Sequence, residues 1–272
     1  MFGARFKFAL LAGLAAAGGC RKPCPPITLE TAGVEPIVRY NKLATVLAET
    51  VSGRGGRIDV DVLRRNVAAL DAQVRTLAVT GPTATPKQFP TREHVLAYWY
   101  NARAAWSLKL LLACDCPSEV RRQEFEDRQF PLDGRVMTLR QLDAILAGEN
   151  DFRVAVASPG ITTHHASLPR KPFAPEGLRQ QIAKRFAAFL DDETRFVIDV
   201  RKRRIVVPPV LWQFRDRLLA AHRQRYGVES ATLTTTLLAY VTGSPHRRLQ
   251  DAIGYRTIQA TDGKRPTCLE GR

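Results

Sequence analysis

The segment at residues 91–114, TREHVLAYWYNARAAWSLKLLLAC, decides the core of the fold. Thr91 suits a helix N-cap, and Glu93 places a negative charge in the first turn, where it interacts favourably with the helix dipole. Few polar residues interrupt the rest of the segment. A helix that is apolar on all sides needs other elements around it. The segment therefore predicts a long helix at the centre of the hydrophobic core.

Shorter elements are predicted on both sides of this helix. Apolar residues recur at helical spacing over residues 36–51, 61–77, 139–146, 175–190, 210–225 and 231–241. Hairpins are predicted around the pair Asp133 and Gly134 and over residues 195–209, and single strands over residues 154–157 and 255–261. These elements together predict one α+β domain, mainly helical, with a small mixed or antiparallel sheet.

The composition is that of a globular protein with a strong positive charge. The chain has 272 residues, of which 45% are hydrophobic and 25% charged, and its formal net charge is +15. That length suffices for a sizeable core. No repeat of about 20 to 50 residues is visible, which argues against solenoids and propellers. The basic runs lack the interleaved aromatic residues that stack on nucleic-acid bases.

The first twenty residues, MFGARFKFALLAGLAAAGGC, predict export to the bacterial cell envelope. Arg5 and Lys7 precede an uncharged run that is too short for a permanent membrane span, which needs about 20 apolar residues. Small residues before Cys20 resemble a lipoprotein lipobox. We expect a signal peptide at residues 1–19 and a lipid on Cys20, which anchors the protein to a membrane. Ordinary cleavage, with Cys20 a plain thiol, is the alternative.

The predicted mature chain starts with a proline-containing tether over residues 20–35, and its domain covers residues 36–272. Removal of Arg5 and Lys7 leaves a net charge of +13. Outside the cytoplasm such a charge is expected to attract anionic headgroups or envelope polymers, and no nucleic acid.

Four cysteines remain if Cys20 carries lipid. Exported proteins use cysteines for disulfides more often than for zinc, and no second pair of ligands accompanies Cys114 and Cys116. A loop closed between these two would be strained. Bridges from them to Cys24 or Cys268 are therefore expected, and no metal site.

Three segments, taken in order, resemble the domain-of-unknown-function 547 family. AYWYNARAAWSL at residues 97–108 resembles the AFWINAYNALTL helix of that family. RIDVDVLRRNVAALDAQVRTLA at 57–78 resembles the helix before it, and GRVMTLRQLDAIL at 134–146 resembles the hairpin exit and helix that follow. The resemblance covers roughly residues 37–262 and rests on the order and spacing of these segments. It implies a divergent member with the fold of the family.

The hallmark of the family, Arg-Ile-His-Phe-x-Leu-x-Cys-Gly-x-x-x-Cys-Pro-x-Leu, falls on the stretch that starts at Arg153. Arg153 and Leu168 match it. The hallmark His falls on Ala155, and its two cysteines fall on Gly160 and His165. Methyl and hydrogen side chains supply neither a nucleophile nor a metal ligand. The resemblance therefore implies an eroded site, with no catalytic residue and no cofactor.

A rebuilt pocket is the alternative, formed by Asn101, Arg153, His164 and His165. Asn101 matches a family Asn, whereas Asp143 stands where the family has Glu. Adjacent residues on an extended segment point to opposite faces, so the two histidines are expected at a loop surface and not as ligands of one ion. Asn101 is expected first to cap a neighbouring strand, because a polar group on a buried helix needs a partner.

These observations predict an exported, lipid-anchored envelope protein with a binding or scaffold role. A hydrolase or transferase built around His164, His165 and Asn101 is the second hypothesis, and a binder of peptides or anionic polymers is the third.

Overall fold

The structure, a computed structural model, describes residues 27, 29–53, 55–113, 125–162 and 164–261, together with the backbone of 268–269. About 51% of it is helical. The helices are α1 (Asn41–Thr50), α2 (Val60–Arg65), α3 (Val67–Val79), α4 (Arg92–Ala113), α5 (Leu139–Ala147), α6 (Arg153–Val156), α7 (Leu178–Asp191), α8 (Pro209–Trp212), α9 (Arg215–Tyr226), α10 (Leu233–Leu238) and α11 (Ser244–Asp251). The strands are β1 (Val51–Ser52), β2 (Arg57–Asp59), β3 (Phe130–Leu132), β4 (Arg135–Met137), β5 (Val197–Asp199), β6 (Arg204–Val207), β7 (Arg256–Gln259) and β8 (Cys268–Leu269). The predicted α+β, mainly helical fold is confirmed.

The strands form three small sheets instead of the single sheet that we expected. Their orders are β1-β2-β8, β3-β4 and β5-β6-β7. The pairs β2 with β8 and β6 with β7 are parallel, and the other pairs are antiparallel. Each strand has only two to four residues, so each sheet is a local ladder between packed helices.

Helix α4 lies at the centre of the larger of two hydrophobic clusters, as its sequence predicts. Every side chain from Leu96 to Leu108 is buried. Helices α2, α3 and α5 pack against it, and α1 packs on α2 and α3 in the same cluster. The predicted helix at residues 61–77 is divided at Asn66, whose side-chain amide donates to the Val62 carbonyl oxygen at 3.1 Å and to Glu49 at 2.8 Å. Ile27 and Leu29 pack against the same cluster.

The predicted hairpin at Asp133 and Gly134 is confirmed as β3 and β4. Both residues have positive φ, 55° and 72°, which two-residue hairpin turns require. The Asp133 carboxylate accepts hydrogen bonds from the backbone N–H groups of Thr83 and Ala84, both at 2.8 Å. The turn therefore also holds the loop before α4.

The second cluster lies between α7, the sheet β5-β6-β7 and helices α8 to α11. The predicted hairpin over residues 195–209 is confirmed, and the predicted last strand forms β7. Helix α11 was not predicted. Its sequence signal is Pro245 in the first turn after Gly243, a position where proline favours a helix start.

The predicted strand at residues 154–157 is wrong, because this stretch forms the short helix α6. Val154 and Ala157 belong to the first cluster, and Ala155 and Val156 belong to the second. This division follows the helical period, which places residues i and i+3 on one face. A short apolar run does not distinguish a strand from a helix by periodicity.

Several predictions concern residues outside the described part of the chain. The signal peptide, Cys20, Cys24, Cys114 and Cys116 lie there, and for Cys268 only the backbone pairing with Ile58 is described. Among the described residues, no helix combines the length and apolarity needed to cross a bilayer.

Candidate functional site

An ion pair with a buried arginine lies where the loop after α6 meets α4. Arg103 of α4 binds Asp143 of α5 through two parallel hydrogen bonds, from Nε to Oδ1 at 2.5 Å and from Nη2 to Oδ2 at 2.9 Å. The third nitrogen, Nη1, donates to the carbonyl oxygen of Pro159. The Arg103 side chain is 2% exposed, and that of Asp143 is 30% exposed. This two-point geometry suits the planar fork of a guanidinium.

His165 completes this cluster. Its Nε2 lies 3.5 Å from Oδ2 of Asp143, and its Nδ1 lies 3.1 Å from the hydroxyl oxygen of Thr162. The backbone of His165 is also held, because its N–H donates to the Thr162 carbonyl oxygen at 3.2 Å. Arg103, Asp143, Thr162 and His165 are called the cluster below.

The charges of the cluster fix its protonation. Burial raises the pKa of Asp143, but the Arg103 guanidinium and the His165 ring outweigh this effect and hold that pKa well below its ordinary value. Burial and the Arg103 cation lower the pKa of His165 in spite of the neighbouring carboxylate. At neutral pH the cluster therefore holds one cation, one anion and a neutral imidazole.

Three arginines hold the loop at residues 157–168. Besides Arg103, Arg185 donates from Nε to the Ala157 carbonyl oxygen at 3.1 Å and from Nη2 to that of Ser167. Arg195 donates from Nε to the carbonyl oxygen of His165 at 2.8 Å. Burial lowers the pKa of Arg185 to about 10, so it stays charged at neutral pH. Side chains from α4, α7 and the segment before β5 therefore bind the carbonyl groups of four loop residues, Ala157, Pro159, His165 and Ser167.

Gly160 permits this packing. A Cβ atom at this position would lie 2.5 Å from Cβ and 2.7 Å from Cγ of His165, and 3.0 Å from Nη1 of Arg103. The Gly160 N–H donates to the Ala166 carbonyl oxygen at 2.8 Å, beside the bridge between Pro159 and Ala166. A larger residue at this position would overlap the His165 side chain unless that side chain or the backbone shifts.

The two histidines do not lie at the loop surface that we predicted. His164 is 4% exposed and His165 is 6% exposed. Both side chains lie in the interior, so their replacement is expected to affect stability more than a surface substitution does. Arg103 of α4 and Arg185 of α7 bind the loop and hold it against both helices. Residues distant in the chain create this packing, so the sequence of the loop does not predict the burial of its histidines.

The other predicted pocket residues lie apart from the cluster. The Asn101 side chain exchanges two hydrogen bonds with the backbone of Phe173, at 2.8 and 2.9 Å. Its role is structural, but its partner is a loop residue and not the strand that we predicted. Arg153 pairs with Asp151 at 2.7 Å and stacks over the Tyr240 ring at 5.7 Å. The structure therefore does not bring Asn101, Arg153 and the histidines into one pocket by any described contact.

Arg103 and Thr162 of the cluster were not among the site residues predicted from the sequence. Neither were Arg185 and Arg195, which hold the loop beside it. One signal was present, since a charged residue in a helix as apolar as α4 demands a partner of opposite charge.

The cluster has the residue types of a nucleophilic triad, but a substrate could not reach its histidine as it does in an active site. Hydroxyl, imidazole and carboxylate follow in the order in which a nucleophile, a base and an orienting group act. However, both oxygens of Asp143 are bound by Arg103, and the His165 side chain is 8% exposed. Within the described residues, no group of three or more His, Cys, Asp and Glu side chains is arranged to hold a metal ion.

Comparisons with family models, curated proteins and solved structures give no match to this chain. The resemblance to the domain-of-unknown-function 547 family therefore stays a prediction.

An open cavity of about 400 Å³ lies between the segment before α1 and helix α3. Charged side chains line much of it, among them Glu35, Arg39, Lys42 and Arg75. Asn101, Arg153, His164 and His165 are not among the residues that line it.

Proposed function

We propose that the mature chain is a lipid-anchored protein of the bacterial cell envelope that binds an anionic partner and is not an enzyme. The observation that carries this proposal is uncompensated positive charge. The chain from Cys20 onward has a net charge of +13. Exposed cations such as Arg201, Lys202 and Arg256 form no salt bridge with another described residue. A field of this kind attracts polyanions and accelerates their binding.

The state of the cluster supports a non-catalytic role. The hydrogen-bonding groups of Arg103, Asp143 and His165 bind one another and the loop after α6. They are therefore not available to a substrate. The hallmark His and first Cys of the resembling family correspond to Ala155 and Gly160, which supply no reactive group. The cluster then serves to join α4, α5 and the loop.

The test is binding of the full-length Cys20→Ser chain to anionic vesicles and to polyphosphate across a salt titration. Exposed charges are screened within about 8 Å at physiological ionic strength. Binding should therefore weaken steeply as salt rises. Binding that does not depend on salt contradicts the proposal. So does the absence of binding to both vesicles and polyphosphate at low salt.

A hydrolase is the second candidate, and one observation favours it: the Thr162 hydroxyl lies 3.1 Å from Nδ1 of His165. The chain should then react with a fluorophosphonate probe and hydrolyse simple esters. Thr162→Ala should abolish both signals, Thr162→Ser should keep them, and Thr45→Ala at an exposed helix position serves as the control. Under our proposal, none of these proteins reacts.

A further inference from the structure

One end of the sheet β5-β6-β7 combines exposed cations with exposed aliphatic side chains. The turn between β5 and β6 has the sequence Val200, Arg201, Lys202, Arg203, and all four residues are exposed. Val200 is 66% exposed, which is the largest value among the exposed large hydrophobic residues. Transfer of a large exposed aliphatic side chain from water to an apolar environment is favourable. Val200 would therefore gain free energy from an apolar partner.

The turn is held in place by its own hydrogen bonds. The Asp199 carboxylate accepts from the Lys202 N–H at 3.1 Å and pairs with Nε of Arg204 at 3.1 Å. The Arg203 N–H donates to the Val200 carbonyl oxygen at 3.2 Å, and Arg203 has a φ of 44°. The acid at the base of the turn is thus already neutralised by Arg204, and the charges at the tip are not.

A second segment reaches the same end of the sheet. The Arg256 N–H donates to the Arg203 carbonyl oxygen at 3.0 Å, and the Arg203 guanidinium lies 5.3 Å from the centre of the Tyr255 ring. Ile253, two residues before Tyr255, is 48% exposed, and Arg256 is exposed. Asp251 is the nearest exposed acid along that segment.

We propose that residues 200–203 and 253–256, called the basic sheet end, dock on a membrane of anionic phospholipids. This inference rests on the proposed function and names its partner. Arg201, Lys202, Arg203 and Arg256 would contact headgroup phosphates, while Val200 and Ile253 enter the boundary between headgroups and acyl chains. Lysine and arginine beside exposed aliphatic groups are the pattern of interfacial membrane binding.

The two aliphatic side chains favour a membrane over a soluble polymer. A hydrated polyanion offers phosphates to the cations but no apolar layer for Val200 and Ile253. A lipid on Cys20 would hold the protein near the bilayer and so raise the effective concentration of the basic sheet end at the membrane surface. Even a weak contact between the two would then form. The basic sheet end would then orient the domain on the membrane.

The experiment compares charge variants of the full-length Cys20→Ser chain. Binding is measured on vesicles with 30% phosphatidylglycerol in phosphatidylcholine, on pure phosphatidylcholine and on polyphosphate. The test variant is Arg201→Gln/Lys202→Gln, and the matched control is Lys87→Gln/Lys171→Gln, which removes the same charge from other exposed positions. Each cation near an anionic surface strengthens binding about fivefold. The test variant should therefore lose about 25-fold on anionic vesicles, and the control much less.

Insertion is tested with a tryptophan at each of two similarly exposed valines. Val200 is 66% exposed and Val136, on the other hairpin, is 63% exposed. Brominated lipids should quench the added fluorescence of Val200→Trp and not that of Val136→Trp. The variant Val200→Ser/Ile253→Ser should lose vesicle binding and keep polyphosphate binding.

The outcomes separate this inference from the proposed function. If both charge variants weaken binding equally, the protein binds through its overall charge, and the basic sheet end is not the docking surface. If the serine variant binds vesicles as the parent does, or Val200→Trp is not quenched, the partner is a polyanion and not a membrane. If the parent binds neither vesicles nor polyphosphate, both proposals fail.

Discussion

Arg103 and Asp143 lie 40 residues apart in the chain and form one bidentate ion pair, with hydrogen bonds of 2.5 and 2.9 Å. The pair connects the buried helix α4 to α5, and through Pro159 it connects both to the loop that follows α6. Its stability rests on mutual neutralisation, because Arg103 is almost entirely removed from water.

Removal of the carboxylate should therefore destabilise the fold. Asp143→Ala leaves a buried guanidinium without its counter-charge, and a loss of about 3 kcal/mol in the free energy of unfolding is expected. Asp127→Ala breaks the pair with Arg140, whose two side chains are about half exposed, and should cost less than about 1 kcal/mol. Urea unfolding of both variants measures the difference. Equal losses would contradict the assignment of the Arg103 pair as a structural element.

The close approach at Gly160 gives a second prediction. Gly160→Ala should destabilise the protein by about 1 to 3 kcal/mol, because the new methyl group overlaps the His165 side chain. Gly55→Ala is the control, since a Cβ atom there meets nothing within 4 Å. Thermal unfolding of the two variants should separate them clearly. A Gly160→Ala protein as stable as the parent would show that the loop repacks freely.

The lowered pKa of His165 predicts a pH dependence of stability. As the pH falls below about 6.5, the unfolded chain takes up a proton that folded His165 resists, so the free energy of unfolding decreases. The contribution is at most about 1.4 kcal/mol per pH unit. His165→Gln removes this contribution, and its stability should fall less between pH 7 and pH 5 than that of the parent.

Asp143 acts at lower pH. Because its pKa is lowered in the folded state, its contribution is present above about pH 3.9 and disappears as the pH falls towards its folded pKa. Urea unfolding at a series of pH values measures both steps. Parallel curves for the parent and His165→Gln between pH 7 and pH 5 would show that His165 does not titrate as proposed.

The predicted lipid on Cys20 is tested by Cys20→Ser. The parent should incorporate a labelled fatty acid and fractionate with membranes. The variant should incorporate none and be released from membranes at high salt, because it lacks the thiol through which the lipid of a lipoprotein is attached. A variant that stays in the membrane fraction at high salt would show that another element anchors the protein.

Local patterns predict the elements of this fold with a direct physical cause. The apolar run of α4 marks a helix that other elements must surround, and Asp133 and Gly134 mark a turn because few other pairs adopt positive φ. The same patterns fail at residues 154–157. There α6 lies between the two hydrophobic clusters, and only a helix turns Val154 and Ala157 towards one cluster and Ala155 and Val156 towards the other.

The sequence by itself determined the central helix, the two hairpins, the mainly helical α+β class and the excess of positive charge. Each follows from residue periodicity, turn chemistry or a sum of charges, which do not depend on distant contacts. Only the tertiary structure decided that His165 is buried beside Asp143, that Arg103 neutralises that carboxylate, and that the turn at Val200 to Arg203 meets Tyr255 and Arg256 at one end of a sheet. These relationships join residues 22 to 53 positions apart, and packing of the whole chain creates them.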